Sequence, residues 1–243
     1  MRTTRIYLDT DLNLNTTVEL DRQSSHHLTR VLRLRNKQQF TIFNGKNGEY
    51  TAELILDNKK TFASIIHHSN ISTTPSISIT LLQCISKSDR MDLAIQKATE
   101  LGCSKIIPLI SEHTSINLND DRQHKKLSHW KSIIISACEQ CGRNELPELS
   151  PVINLSELIN TPLSGTKLVF DPLSDSSLHS IKPVDNNYFL LIGPEGGLSD
   201  NEVKLSRQAG FTGIKIGNRI LRTETAAIAG ISAIQSLWGE FKS

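Results

Sequence analysis

The spacing of apolar and polar residues changes near residue 76. From residue 4 to residue 68 they alternate in short runs, TRIYLD, QFTIFNG, GEYTAELILD and TFASIIHH, punctuated by Asn44-Gly45 and Asn47-Gly48. Alternation of period two between turn residues predicts half-buried strands, and four such runs predict a small β-barrel or sandwich. SSHHLTRVLRLR interrupts them. There Leu28, Val31, Leu32 and the stem of Arg35 share one helical face, while His26, Arg30, Arg33 and Lys37 follow one another at i, i+4, i+7 and i+11 on another.

SNISTTPS, residues 69–76, is small and polar with one proline, which marks a linker. Two domains are therefore expected, residues 1–70 and 76–243. Past the linker, apolar β-rich runs alternate with helical ones. ISITLLQCI precedes DRMDLAIQKATELG, in which Met91, Ile95 and Ala98 are in register and Gly102 is a stop. KIIPLI precedes a helix from about Asp120 to Cys141, with Leu127, Trp130, Ile134, Ala137 and Cys141 at helical spacing. KLVFD and YFLLIG follow. Ser199 and Glu202 then fit a capping box, and Gly210 ends that helix. TGIKIG leads to TETAAIAGISAIQSLW, where Thr223 can cap and Glu224 suits the helix dipole. Such alternation predicts an α/β domain whose parallel sheet is covered on both faces.

Composition narrows the class. At 37% hydrophobic and 21% charged the chain is globular, no run of 18 apolar residues suggests a membrane span, and MRTTRIYLDT lacks the apolar core of a signal peptide, so a cytoplasmic protein is expected. Cys84, Cys103, Cys138 and Cys141 are too few and scattered for a disulfide framework. Cys138 and Cys141 form a CxxC without the second ligand pair of a structural zinc site, and they sit in a helical pattern, which favours packing; no metal is expected. The net charge of +2 conceals a division: residues 1–75 hold 10 Lys/Arg against 7 Asp/Glu, and residues 76–243 hold 17 against 18. Arg22, Arg30, Arg33, Arg35 and Lys37 lie within residues 22–37 with no acid among them, a local basic patch.

In an open parallel sheet the ligand site lies beyond the carboxyl ends of the strands. Three loops of interest fall there: FDP (170–172), GPEGG (193–197) and GNRILRTET (217–225). None carries the dinucleotide or P-loop glycine pattern. A glycine turn opening a helix suits an anion, yet Glu195 beside the cradle would repel a phosphate and tolerate hydroxyls, an amine or a positive centre. S-adenosylmethionine, an adenosine bearing a sulfonium, meets that requirement. GPEGG alone is read equally well as a tight turn. Capping explains Thr223 and Glu224 but leaves Arg222 without a role.

Taken together, KSDRMDLAIQKATELG (87–102), ACEQCGRN (137–144), LLIGPEGGLSDNEV (190–203) and GNRILRTETAAI (217–228) resemble the RsmE family of the SPOUT superfamily, methyltransferases of uridine N3 in 16S ribosomal RNA. HHLTRVLRLR followed by FTIFNG is similar to that family's N-terminal PUA-like RNA-binding domain. The resemblance implies a trefoil-knotted α/β methyltransferase domain behind a PUA-like β-barrel, working as a homodimer on the small ribosomal subunit. It implies an S-adenosylmethionine pocket formed by Phe170, Asp171 and Pro172, by Leu191, Ile192, Gly193, Pro194, Glu195, Gly196, Gly197 and Leu198, and by Gly217 to Thr225, including Ile220, Leu221 and Arg222. Glu139, Gln140 and Arg143 would face the reaction centre, with Arg222 nearby. Arg222 or Arg143 would stabilise charge on the uracil ring, and Glu139 or Glu195 would take its proton. His26, Arg30 and Arg33 would contact RNA phosphates. Rival readings are a ribose 2′-O methyltransferase and a non-catalytic RNA-binding protein. One departure is visible: Lys37-Gln38 stands where the family has a Gly-Asp turn, and Asn44 replaces an Asp.

Overall fold

In the computed structural model, which describes residues 4–58, 60–114 and 120–242, the chain divides at Thr74/Pro75 into two units, and Cys138–Leu146 returns to the first. The first unit is a five-stranded sheet built from β1 (Arg5–Tyr7), β2 (Thr17–Glu19), β3 (Gln39–Phe43), β4 (Glu49–Asp57) and β5 (Lys60–Ser69), ordered β1-β3-β4-β5-β2. Only the β1/β3 pair is parallel. The period-two pattern is realised most clearly in β4, where Tyr50, Ala52 and Leu54 turn into a core with Ile6, Leu28, Phe40, Ile42, Ala63 and Ile65. β2 is three residues long with only Val18 partly buried, too short to leave a periodic signal.

The helical face drawn through SSHHLTRVLRLR is shorter than its spacing predicts. Asp21 accepts the Ser24 N–H at 2.7 Å and opens α1 (Arg22–His26), which widens into one π-turn over His27–Val31. Leu32 N–H donates to His27 O and Leu34 N–H to Leu28 O, closing the helix there. Leu28 alone of the helical residues is fully buried; Val31 is 58% and Leu32 40% exposed. Arg33 and Lys37 have left-handed φ of 54° and 66°, so they leave the helical register and the expected four-residue stripe does not form. The Lys37-Gln38 departure has a specific outcome. The turn keeps the backbone that a glycine would adopt freely, with Lys37 N–H donating to Leu54 O and Leu54 N–H to Gln38 O. Asn44 accepts the Lys46 N–H and donates to Thr10 O, an Asx turn of the kind an Asp would make.

The second unit is a parallel sheet of β6 (Ser78–Cys84), β7 (Lys105–Ile110), β8 (Glu148–Leu149), β9 (Ile153–Asn154), β10 (Thr166–Phe170), β11 (Asn187–Ile192) and β12 (Thr212–Ile214). Its order is β12-β10-β11-β6-β7-β8, and β9 also pairs with β7. Helices α2 (Ser88–Glu100), α3 (Asp120–Cys141), α4 (Leu155–Ile159), α5 (Asp200–Gln208) and α6 (Thr223–Trp238) connect and cover it. Near-continuous burial of β6, β10 and β11 is the signature of a sheet covered on both faces. Ser199 and Glu202 form the expected capping box, and Gly210 ends the α5 turn at φ 88°. Because the strands run parallel, the segments leaving β10, β11 and β12 emerge at one edge.

Candidate active site

Those three segments line a cleft of about 710 Å³. Its second loop is a tight turn, with Gly197 N–H donating to Pro194 O at 3.0 Å and Gly197 at φ 74°. A Cβ on Gly193 would sit 3.1 Å from Leu198 N and 3.2 Å from Gly197 C, so the cradle has no room for a side chain at its first residue. Phe170 reaches the cleft from β10. α6 crosses behind it at Gly230, where a Cβ would lie 2.7 Å from the Phe170 ring and 2.8 Å from Leu190.

Asp171 is held by structure. Its carboxylate pairs with Arg207 Nη2 at 2.6 Å and accepts the Leu173 N–H at 2.9 Å, while its own N–H donates to Ile214 O. Glu195 is similarly engaged: Oε1 accepts the Lys87 N–H at 2.9 Å and lies 3.4 Å from Arg90 Nη1. The carboxylate expected to set the charge of the cradle is thus neutralised by Arg90 and an amide at the start of α2. Among the described residues, Lys215, Arg219 and Arg222, which also line the cleft, have no carboxylate partner. Against these three bases stands Asp200, also in the lining, so the unpaired charge of the cleft is positive on balance among the described residues.

Thr223 does not cap α6; Arg222 occupies the N-cap position, without a side-chain cap hydrogen bond. The Thr223 hydroxyl instead donates to Gly193 O at 2.7 Å and accepts from Gln83 Nε2 at 2.9 Å. Three of the expected pocket residues are not in the lining: Leu191 is in the core with Leu82, Leu109 and Val169, because both faces of β11 are covered, Glu224 is buried on α6, and Thr225, between the lining residues Thr223 and Ala226, is exposed. The lining also takes in Arg90, Leu173, Asp200, Val203, Ile214–Ile216 and Ala226. Arg90 sits in the KSDRMD run and could have been suspected there; Asp200 and Val203 carry no sequence signal beyond their place after the GPEGG turn.

Glu139 and Arg143 belong to the first unit. Glu139 Oε1 accepts the Tyr7 N–H at 3.0 Å, and the Arg143 carbonyl accepts from Arg5 Nη2 at 3.2 Å. Burial raises the Glu139 pKa above the usual carboxylate value, against the lowering by the Tyr7 N–H, His27 and Arg5. His26, Arg30 and Arg33 are exposed, alongside Arg22, Arg35 and Lys37. Cys138 is buried and Cys141 half-buried, both as free thiols. Among the described residues no group of three metal-ligating side chains occurs, and no helix is long and apolar enough to cross a membrane.

A parallel sheet whose strand-end loops form a glycine-lined cleft, preceded by a small β-unit, defines a class that comparison with known proteins makes specific. Residues 73–235 match the model of the RNA methyltransferase domain, and residues 20–66 match that of the RNA methyltransferase PUA domain. Ribosomal RNA small subunit methyltransferase E of Buchnera aphidicola (Schizaphis graminum) is 39% identical over 98% of each chain, and that of Bacillus subtilis is 31% identical over 90% of this chain and 89% of its own. A Legionella pneumophila methyltransferase solved with S-adenosylmethionine superposes with a TM-score of 0.95 at 36% identity over 99% of this chain and 100% of its own. The Neisseria gonorrhoeae ribosomal RNA small subunit methyltransferase E bound to S-adenosylmethionine gives 0.90 at 38% identity over 98% and 99%. The chain belongs to the ribosomal RNA small subunit methyltransferase E family. Its architecture is accordingly a SPOUT-type parallel α/β domain with an N-terminal PUA domain.

Proposed function

We propose that this protein transfers a methyl group from S-adenosylmethionine to N3 of a uridine in 16S ribosomal RNA. The observation that carries the reading is the glycine-lined cleft at the carboxyl edge of the sheet, in a chain closely similar throughout its length to two methyltransferases solved with that cofactor. The cleft's residues fit the cofactor. Its volume is within the usual range for ligand pockets of roughly 300–1,000 Å³. Ile192, Leu198, Ile216, Leu221 and Ala226 offer apolar walls for an adenine, and the Gly193–Gly197 turn brings backbone close enough to hydrogen-bond its polar edges. Bound there, S-adenosylmethionine supplies an electrophilic methyl on a sulfonium.

The chain's own residues have the complementary task of making an imide nitrogen nucleophilic. As N3 loses its proton, negative charge spreads to O2 and O4, and the Arg222 guanidinium at the cleft edge is available to meet it because no carboxylate of the described residues occupies it. Arg143 is the second arginine assigned to this task. A carboxylate would take the proton. Each of the two assigned to this has one oxygen committed, Glu139 to the Tyr7 N–H and Glu195 to the Lys87 N–H and Arg90; burial raises the pKa of Glu139 and so makes it a stronger base than an ordinary carboxylate. His26, Arg30 and Arg33 would hold RNA phosphates and position the substrate without reading its sequence. A homodimer is part of the reading; Leu173 and Ile220, apolar and more than 80% exposed at the cleft, would be covered in it.

The test is methylation of purified small subunits lacking the modification, using labelled cofactor, with nucleoside digestion and mass spectrometry. Label on the base at N3 of one uridine is expected. Label on a ribose 2′-hydroxyl would replace this reading with the related ribose chemistry, and no cofactor binding by calorimetry would remove the enzymatic reading.

A further inference from the structure

Gln83 is the one polar side chain inside the run LLQCI, and it is fully buried at the carboxyl end of β6, between Ile192 of β11 and Pro108 of β7. Burying an amide costs free energy unless its hydrogen-bonding groups are satisfied. Both Nε2 protons are used, one on Cys84 O at 3.0 Å and one on Thr223 Oγ1 at 2.9 Å, whereas Oε1 is buried without a partner among the described residues. The orientation follows from chemistry: the Cys84 carbonyl can only accept, so the amide must present its nitrogen there. With one lone pair of its hydroxyl taken by Gln83, Thr223 directs its single proton to Gly193 O at 2.7 Å.

This chain of bonds has a fixed direction, Gln83 to Thr223 to Gly193. It joins the first residue of the glycine turn to the first residue of α6, two segments that both line the cleft. Gln83 itself does not line the cleft. A leucine or isoleucine would satisfy the core better at this place, and the unpaired Oε1 is the cost of keeping an amide there.

We infer that Gln83 is a positioning residue for the cofactor cleft, setting the Thr223 hydroxyl rotor so that the Gly193 carbonyl and the Arg222–Thr223 segment are held in the geometry that receives the cofactor. The inference rests on the cofactor reading above, and the experiment separates the two. Calorimetry with S-adenosylmethionine is run on the full-length wild type, Gln83→Met, Thr223→Val and the double variant, with thermal unfolding of each ligand-free protein recorded in parallel.

Wild-type binding supports the cofactor assignment by itself. Gln83→Met, which keeps length and volume but removes the donor, is expected to raise the cofactor dissociation constant roughly 3- to 10-fold, the range of one buried hydrogen bond. Affinity for RNA should hold. The double variant should bind no more weakly than Thr223→Val, since both act through one chain. Gln83→Met binding the cofactor as the wild type does, or losses that multiply in the double variant, would overturn the positioning role while leaving the methyltransferase reading intact. Should Gln83→Met fail to fold, Gln83→Glu gives the same comparison: binding is expected to weaken as pH rises and the carboxyl loses its donor proton, and a flat profile overturns the role.

Discussion

Arg90 Nη1 lies 3.4 Å from Glu195 Oε1, the same oxygen that accepts the Lys87 N–H. The pair fastens the glycine turn to the start of α2, so Glu195 acts on the cleft through geometry. Glu195→Gln is expected to raise the cofactor dissociation constant a few-fold, in line with the roughly 0.2–1 kcal/mol of a partly exposed ion pair. Its single-turnover rate at saturating cofactor should match that of the wild type; a loss of two orders of magnitude would make Glu195 the proton acceptor instead.

Arg222 differs, because no carboxylate of the described residues pairs with it. Arg222→Ala should slow methyl transfer about 100-fold, as losing one preorganised donor to a developing anion does elsewhere. Cofactor affinity should change little. Rapid-quench measurement with small subunits checks the rate, and an undiminished rate would return the role to Arg143.

Lys37 holds a left-handed φ of 66° that costs a residue with a Cβ roughly 1–2 kcal/mol. Lys37→Gly removes that strain but loosens the unfolded chain by about 0.4–1 kcal/mol. A small net stabilisation is expected, visible as a rise in the denaturant midpoint with an unchanged slope.

Gly230 lets α6 lie against Phe170 and Leu190. Gly230→Ala should destabilise the protein by about 1–3 kcal/mol through overpacking, overriding alanine's better helix propensity. Because Phe170 must shift to admit the methyl, cofactor affinity should fall as well. Differential scanning calorimetry with and without cofactor reads both effects.

Burial pushes the Cys84 and Cys138 thiols up to about 12 from an ordinary 9.0. Between those values the folded protein retains protons that the unfolded chain has released, so stability is full below pH 9 and declines as pH rises toward 12. Urea midpoints from pH 8 to 10.5 should fall. A Cys84→Ala, Cys138→Ala protein should show a flatter decline. At pH 8 iodoacetamide should modify the half-buried Cys141 ahead of Cys84, Cys103 and Cys138.

Much of the fold was legible because long apolar runs and their stops are strong signals. The Ser199 and Glu202 box, Gly102 and Gly210 stand where their chemistry requires, and the three strand-end loops meet as a parallel sheet dictates. β2, β8, β9 and α4 are two to five residues long, too short for periodicity to register. The stripe through His26, Arg30, Arg33 and Lys37 failed because spacing assumes one continuous helix, and a π-turn with a left-handed Arg33 ended it. In the cleft, the glycines and Arg222 were readable as backbone and charge. The pairing of Glu195 with Arg90 and the bonding of Thr223 were not, since each depends on partners far away in the chain. The charge that Glu195 carries in sequence is thus already balanced in the fold.

β6 lies at the heart of the parallel sheet, yet the strand that flanks it on the side of the cleft, β11, is synthesised roughly a hundred residues later, and such distant pairings close slowly. Thr223, which anchors the glycine turn, comes later still. A nascent chain therefore cannot close the bonds from Gln83 through Thr223 to Gly193 until α6 has been made, so a polypeptide cut short before α6 carries the glycine turn without the helix that anchors it.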